Sequence, residues 1–270
     1  MKERLVITLV EHPLWGMLLQ PTLVEELASG SLSILEIVDS NSTVFPRLDG
    51  SMQQLVCDAE RFSEKVLMRN YSREKTVADF HKSVKPDTIE KFIRPLIEKC
   101  HDKMVQLIVH LPVEVYFREA VKKRTLYPMD RIYTDPQPAQ SVFDFRTQED
   151  GSLLYSIQVL WKDKILTLNN KSYGVVCREP AIVCVGDALF AFENMDAKKL
   201  LPFFEKEAIV VPAASRNLYI QKFVANCVRD YEVRADGISI EQVFPEKKAC
   251  LTFADGWDGL PALNVTFEYG

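Results

Sequence analysis

Between Ile89 and Leu111 the apolar residues Ile89, Phe92, Ile93, Leu96, Ile97, Cys100, Met104, Leu107, Ile108 and Leu111 recur mostly at three- and four-residue steps. That spacing lays them along one wide stripe of a helix, the strongest amphipathic signal in the chain. The helix is expected to start after Pro86, where Asp87 can accept from the backbone N–H of Glu90. Pro95 removes one backbone donor inside it and predicts a kink or a division in two. Cys100 faces the stripe and His101 sits beside it, because adjacent helical residues point about 100° apart. Upstream, Thr76 with Asp79 three residues on reads as a capped helix that buries Val77, Phe80 and Val84. Before that, from about Gln53, the spacing of Val56, Ala59, Phe62, Val66 and Tyr71 predicts one more helix.

Strand periodicity surrounds this helical zone. LVITLV and MLLQPTLV read as two apolar strands joined by a turn punctuated by Pro13 and Gly16, and SLSILEIVD, residues 31–39, as a third. YPMDRIYTDPQPAQ carries Pro128, Pro136 and Pro138 and places a domain boundary near 135–138. SVFDFRT, LLYSIQVLW, ILTLN, AIVCV and ALFAFE, with EDG and GD turns between them, predict an antiparallel meander. A long helix follows, with Ser215 as its cap and Tyr219, Phe223, Val224, Cys227, Val228 and Tyr231 on one face. GISIEQVF, ACLTF and ALNVTFEYG begin a further β region, with a turn on Asp255, Gly256, Asp258 and Gly259. The expected class is α+β. Residues 1–135 would form a small β layer with a helical bundle, 136–235 a predominantly antiparallel meander with the helix 215–231, and 236–270 the start of a truncated β subdomain.

Composition excludes several classes. With 270 residues, 47% hydrophobic and 26% charged, the chain lies within the globular range and can bury roughly 70–75% of its unfolded surface. A net charge of −5 gives no global attraction to nucleic acid or anionic lipid, so any such contact has to be local. Six cysteines spread singly read as reduced, mostly buried thiols. The apolar run Leu5 to Val10 is too short for a signal peptide, and His12 to Val24 is too short and too interrupted for a membrane span. A cytoplasmic protein without membrane contact is expected.

The sequence contains no phosphate-cradling G-x-x-x-x-G-K-[ST] loop, no G-x-G-x-x-G, no H-E-x-x-H or C-x-x-C, and no G-x-S-x-G elbow. No catalytic residue, cofactor or metal ligand is therefore assigned, and no enzyme activity is expected of this chain. One charge cluster stands out, REAVKKRTLYPMDR, with five basic residues against two acidic ones. Arg118, Lys122, Lys123, Arg124, Tyr127 and Arg131 form the candidate nucleic-acid contact, because cations with an aromatic among them can grip a phosphate backbone. The competing reading is a solvated helix end whose cations favour the C-terminal dipole.

DTIEKFIRPLIEK, YPMDRIYTDPQPAQSVFDF, MDAKKLLPFFEKEAIVVP and YIQKFVANCVRDYEVRADGISI resemble, in this order, the N-terminal non-ATPase region of bacterial Swi/Snf-type helicase-like proteins of the DEAD/DEAH-box class. The likeness is one of overall pattern through most of the chain, ending in the strand at Phe267 to Gly270, and includes no diagnostic catalytic motif. It implies an accessory region whose partners are two RecA-like motor lobes downstream in the same polypeptide. ATP and Mg would be bound there, and DNA or RNA would be engaged. It also implies that the sequence stops beside a longer protein, and an edge strand over 262–269 left without its neighbour is expected to pair with another copy, a dimer of doubtful meaning. The alternative is a self-contained protein-interaction or small-ligand-binding protein, with polar groups converging in a cavity between the helical zone and the meander.

Overall fold

The computed structural model describes residues 3–168, 172–193, 195–236, 247–255 and 261–269. It is an α+β protein with a large curled mixed sheet and a smaller sheet. Its contacts divide the chain into two units, 1–236 and 237–270. Among the described residues no helix is long and apolar enough to cross a membrane.

The first unit is organised around strand β1, Glu3–His12, which pairs antiparallel with β2, Gly16–Glu26, from Glu3↔Glu25 to His12↔Gly16. Gly16 closes the turn with φ +77°, a conformation that favours glycine. On its other side β1 pairs parallel with β4, Val115–Arg118. Covered on both faces, Val6 to Val10 are fully buried, which explains a nearly continuous apolar run in place of simple alternation. β3, Leu32–Ile37, and β5, Thr125–Leu126, extend the sheet beyond β2. β6, Arg131–Thr134, β10, Ser172–Cys177, β11, Ile182–Val185, and β12, Ala188–Ala191, complete it in the order β10-β11-β12-β6-β4-β1-β2-β3-β5.

That order cannot lie flat. β5 and β6 stand five strand spacings apart, about 24 Å at 4.8 Å each, yet the chain from Leu126 to Arg131 reaches only about 17 Å. The sheet curls to bring β5 back toward β6, and the inside of the curl is filled by Val6, Val24, Leu32, Ile34, Tyr116 and Leu126. Thr8 and Thr22, both fully buried, are satisfied there by one hydroxyl donating to the other at 2.9 Å and the second donating to the Gln20 carbonyl, 3.3 Å from Thr8 and 3.0 Å from Thr22.

The opposite face of β1 is covered by helices. α1, Gly50–Glu60, and α2, Glu64–Tyr71, replace the single helix expected from Gln53 onward, because the chain breaks at 61–63. α3, Val77–Ser83, has the expected cap: Thr76 Oγ1 accepts from Asp79 N at 3.1 Å. The long amphipathic segment divides as Pro95 requires, into α4, Pro86–Thr88, a π turn over Ile89–Ile93, and α5, Arg94–Ile108. The Arg94 N–H bonds the Ile89 carbonyl five residues back, so the widened turn absorbs the missing proline donor. The expected Asp87 cap is not formed: Lys85 occupies the cap position and Asp87 takes the Lys91 ammonium at 2.7 Å. Ile97, Cys100, Met104 and Ile108 of α5 bury against a core that includes Ile7, Leu9, Leu19, Ile182 and Leu189.

The expected single meander is split between the two sheets. β7, Gln140–Thr147, β8, Leu153–Trp161, and β9, Lys164–Leu166, form the smaller sheet with β13, Ala208–Val211, and β14, Glu232–Asp236, whereas β10 to β12 return to the large one. The segment 135–138 is thus a crossing between sheets inside one unit. Trp161 of β8 stacked on Phe190 of β12, centroids 5.6 Å apart, joins the two. After α6, Leu201–Glu205, the helix expected at Ser215 starts two residues earlier, behind Pro212, as α7, Ala213–Tyr219. It continues through a π turn over Ile220–Val224 into α8, Ala225–Asp230. Phe223 from this helix meets Tyr155 of β8 at 5.5 Å and Phe143 of β7 at 6.3 Å.

The second unit contains a hairpin of β15, Lys247–Asp255, and β16, Pro261–Tyr269, in register from Lys247↔Tyr269 to Asp255↔Pro261. The expected strand GISIEQVF and the turn at 256–259 lie outside the described residues.

His101 ties β2 to β10, the first strand of the curled sheet. Its ring is fully buried, Nε2 accepts from the Leu19 N–H of β2 at 3.2 Å, and Nδ1–H donates to the Val176 carbonyl of β10 at 3.1 Å. Burial pushes its pKa down from 6.5 to about 4. The unfolded chain therefore takes up this proton first as the pH falls. Stability from His101 is complete above pH 6.5 and declines by up to about 3 kcal/mol as the pH falls to 4. Urea unfolding at pH 7.5 should show His101→Ala destabilised by about 2–4 kcal/mol, from two unpaired backbone groups and a cavity, with a shallower loss of stability between pH 6.5 and 4. An unchanged pH profile in the variant would refute the assignment.

Candidate functional site

The basic cluster lies on the strand–turn–strand passage from β4 through 119–124 and β5 to β6, so the helix-end reading does not hold. Arg118 does not stand with the surface cations. It is 1% exposed, its Nε donates to the Lys123 carbonyl at 2.8 Å and Nη2 to the Val121 carbonyl, and burial lowers its pKa. Arg118 holds the turn in place from beneath and is withdrawn from any phosphate.

The others surround the rim of the curl. Lys123 stands 5.4 Å over the ring of Tyr127 and 3.3 Å from Asp130, which also accepts from the Tyr127 N–H at 2.9 Å. Arg131 stands 5.5 Å over Tyr133 and pairs at 3.0 Å with Glu114, which also takes Arg4 at 2.8 Å. Lys122 and Arg124 are exposed, and among the described residues neither makes an ion pair. Tyr127 and Tyr133 are 45% and 50% exposed, rings of the kind on which bases stack. Tyr133 joins the cluster expected from the sequence. The R-I-Y alternation that places Arg131 and Tyr133 on one face of β6 could have found it.

Concavities elsewhere among the described residues include a cleft and a groove. A cleft of about 780 Å³ opens between α1, α5, the 135–138 crossing and the β11–β12 pair, lined by Asp58, Asp102, Lys103, Gln106, His110 and Asp135 among others. Asp58, only 2% exposed, accepts from Gln54 Nε2 at 2.9 Å. A groove of about 490 Å³ runs between β2, the end of β3 and the α1–α2 break, and His12 and Glu64 line its wall.

At that wall His12 Nε2–H donates to Glu64 Oε1 at 3.2 Å, while Nδ1 accepts from the Leu14 and Trp15 N–H groups at 3.2 and 3.3 Å. The His12 hydrogen bond is the largest cause holding the Glu64 carboxyl below its usual range, against partial burial. His81 Nε2 lies 3.0 Å from the same oxygen, shielded from solvent, yet off the axis of a hydrogen bond. The three residues come from β1, α2 and α3, so no short spacing in the sequence marks them.

Thiol chemistry has no support among the described residues. Cys100, Cys177, Cys184 and Cys227 are buried and free, and burial pushes their pKa values up, Cys177 to about 12. Cys57 is free and exposed.

No protein-family model, curated protein or solved structure matches the chain. If Arg118 is a staple, Arg118→Ala should speed amide exchange across 119–124 and lower stability by about 2–4 kcal/mol, through the stranded Val121 and Lys123 carbonyls and lost packing. Arg124→Ala should do neither.

Proposed function

We propose that this chain is a non-catalytic accessory region of a cytoplasmic Swi/Snf-type helicase-like ATPase that engages nucleic acid and docks on motor lobes downstream, where ATP and Mg are bound. The observation that carries the nucleic-acid role is the rim itself. Two exposed tyrosines, each with a cation over its ring, follow Lys122 and Arg124 along the same passage of chain, and those two cations have no ion pair among the described residues. Tyr127 and Tyr133 supply stacking faces for unpaired bases, and the two cations supply the phosphate contact. Glu114 and Asp130 neutralise Arg131 and Lys123, so phosphates have to compete for those two. This favours a contact of few phosphates on a single strand, consistent with a net charge of −5.

A second reading has its own observation. The cleft over α5 gathers polar side chains at the junction of the helical zone and the β11–β12 pair, where a self-contained small-ligand-binding protein would hold its ligand.

The experiment is a fluorescence titration with single- and double-stranded DNA and RNA oligonucleotides at about 50 and 200 mM salt. Single strands should bind more tightly, with log K falling by about 0.7 per neutralised phosphate for each decade of salt. Lys122→Ala/Lys123→Ala/Arg124→Ala should flatten that slope. Tyr127→Ala and Tyr133→Ala should weaken binding by about 1–3 kcal/mol each without changing the slope. No binding at the lower salt would remove the nucleic-acid role, and a reading frame that stops at Gly270 would remove the helicase parent.

A further inference from the structure

The geometry at the groove wall points to a metal site: we propose that His12, Glu64 and His81 bind one divalent transition-metal ion of the zinc class. Their ligand atoms all lie within 4.8 Å of one another. The two nitrogen–oxygen separations, 3.2 Å from His12 and 3.0 Å from His81, are close to the roughly 3.3 Å between neighbouring ligands around a tetrahedral ion with 2.0–2.1 Å bonds.

His81 carries the argument furthest. Its Nε2 is shielded from solvent and lies 3.0 Å from a carboxylate oxygen, off the axis that a well-formed hydrogen bond needs. If the nitrogen carries its proton, a buried donor is left unsatisfied. If it carries a lone pair, that pair sits close to an anionic oxygen. A cation off the line joining the two atoms, about 2 Å from each, removes both problems and uses the off-axis approach that a hydrogen bond cannot.

Two imidazole nitrogens with one carboxylate oxygen form a borderline donor set, suited to zinc, nickel or copper and poorly suited to calcium or magnesium. Three protein ligands leave one position of a tetrahedron open, and the Glu64 side chain, 44% exposed, provides the way in. The ion displaces the His12 Nε2 proton from its place between the ring and Glu64. His12 then carries its proton on Nδ1 and gives up the Leu14 and Trp15 amide bonds, which at 3.2 and 3.3 Å are long ones. Binding would pin the ends of β1, α2 and α3 together beside the groove. Trp15, stacked on His12 with centroids 5.6 Å apart, provides an optical reporter.

The test uses the full chain with Zn²⁺ alone by calorimetry, and with Co²⁺ by visible absorption. One Zn²⁺ per chain should bind at pH 7.5, with a change in tryptophan emission and a higher unfolding temperature. His81→Ala and the near-isosteric Glu64→Gln should each weaken binding at least tenfold, with the metal-free urea midpoint of Glu64→Gln close to that of the parent. Cys57→Ser should leave binding unchanged, and the Co²⁺ spectrum should lack a thiolate charge-transfer band. Zinc uptake no greater than that of a His12→Ala/His81→Ala double variant, uptake indifferent to Glu64→Gln and His81→Ala, or uptake abolished by Cys57→Ser would each overturn the proposal. In the first case the cluster shares a proton only.

Discussion

Strand β1 is buried on both faces, and the rest of the first unit depends on that double burial. Val6 and Thr8 face the inside of the curl while Ile7 and Leu9 face the helical layer, so one strand serves two cores. A slip of one residue would exchange the two sets and put Thr8, with its hydroxyl, against α5. The same register sets His12 opposite Gly16, and the tight turn between them directs the Leu14 and Trp15 amides back onto the imidazole. The candidate metal cluster is thus a consequence of where β1 ends.

A curled sheet leaves polar groups along its margins, and each has to be answered from somewhere else in the chain. His101 answers two of them, on β2 and β10. Arg178, one residue beyond β10, adds a second tie by reaching Glu98 of α5 at 2.6 Å. At the other closure Arg118 answers the Val121 and Lys123 carbonyls of a turn whose own backbone bond runs from the Lys123 N–H to the Ala120 carbonyl at 3.0 Å. These three side chains are chemically suited to function, yet their hydrogen bonds go to backbone or to structural partners. Among the described residues, Lys122, Arg124, Tyr127 and Tyr133 stay exposed at the rim, while the His81 Nε2 is shielded beside Glu64.

The helices and strands were legible wherever a local signal decided them. The stripe from Ile93 to Ile108, the Thr76 cap and the hairpin of β1 and β2 stand where periodicity and turn residues put them, whereas Phe92, expected on the stripe, is 58% exposed. The errors have a common cause. Gln53 to Tyr71 read as one helix because two short helices kept nearly the same spacing across the break at 61–63. Ser215 read as a cap, although Pro212 had already turned the chain into helical geometry. Arg118 read as one more cation of a basic run, because composition does not distinguish a side chain beneath a turn from those above it. The His12, Glu64 and His81 cluster left no trace, since its members are separated by 52 and 17 residues.

By itself the sequence determined the α+β character, the position of most elements, the burial of the described thiols other than Cys57, and the lack of any local phosphate or metal motif. These follow from hydrogen bonds and side-chain periodicity acting over a few residues. Only the tertiary structure decided that one meander serves two sheets, that the large sheet curls, which cation is buried, and which histidines share a carboxylate. Those outcomes depend on contacts between segments far apart in the chain, chosen by the burial of whole faces and by the reach of short connections, and no local pattern carries them.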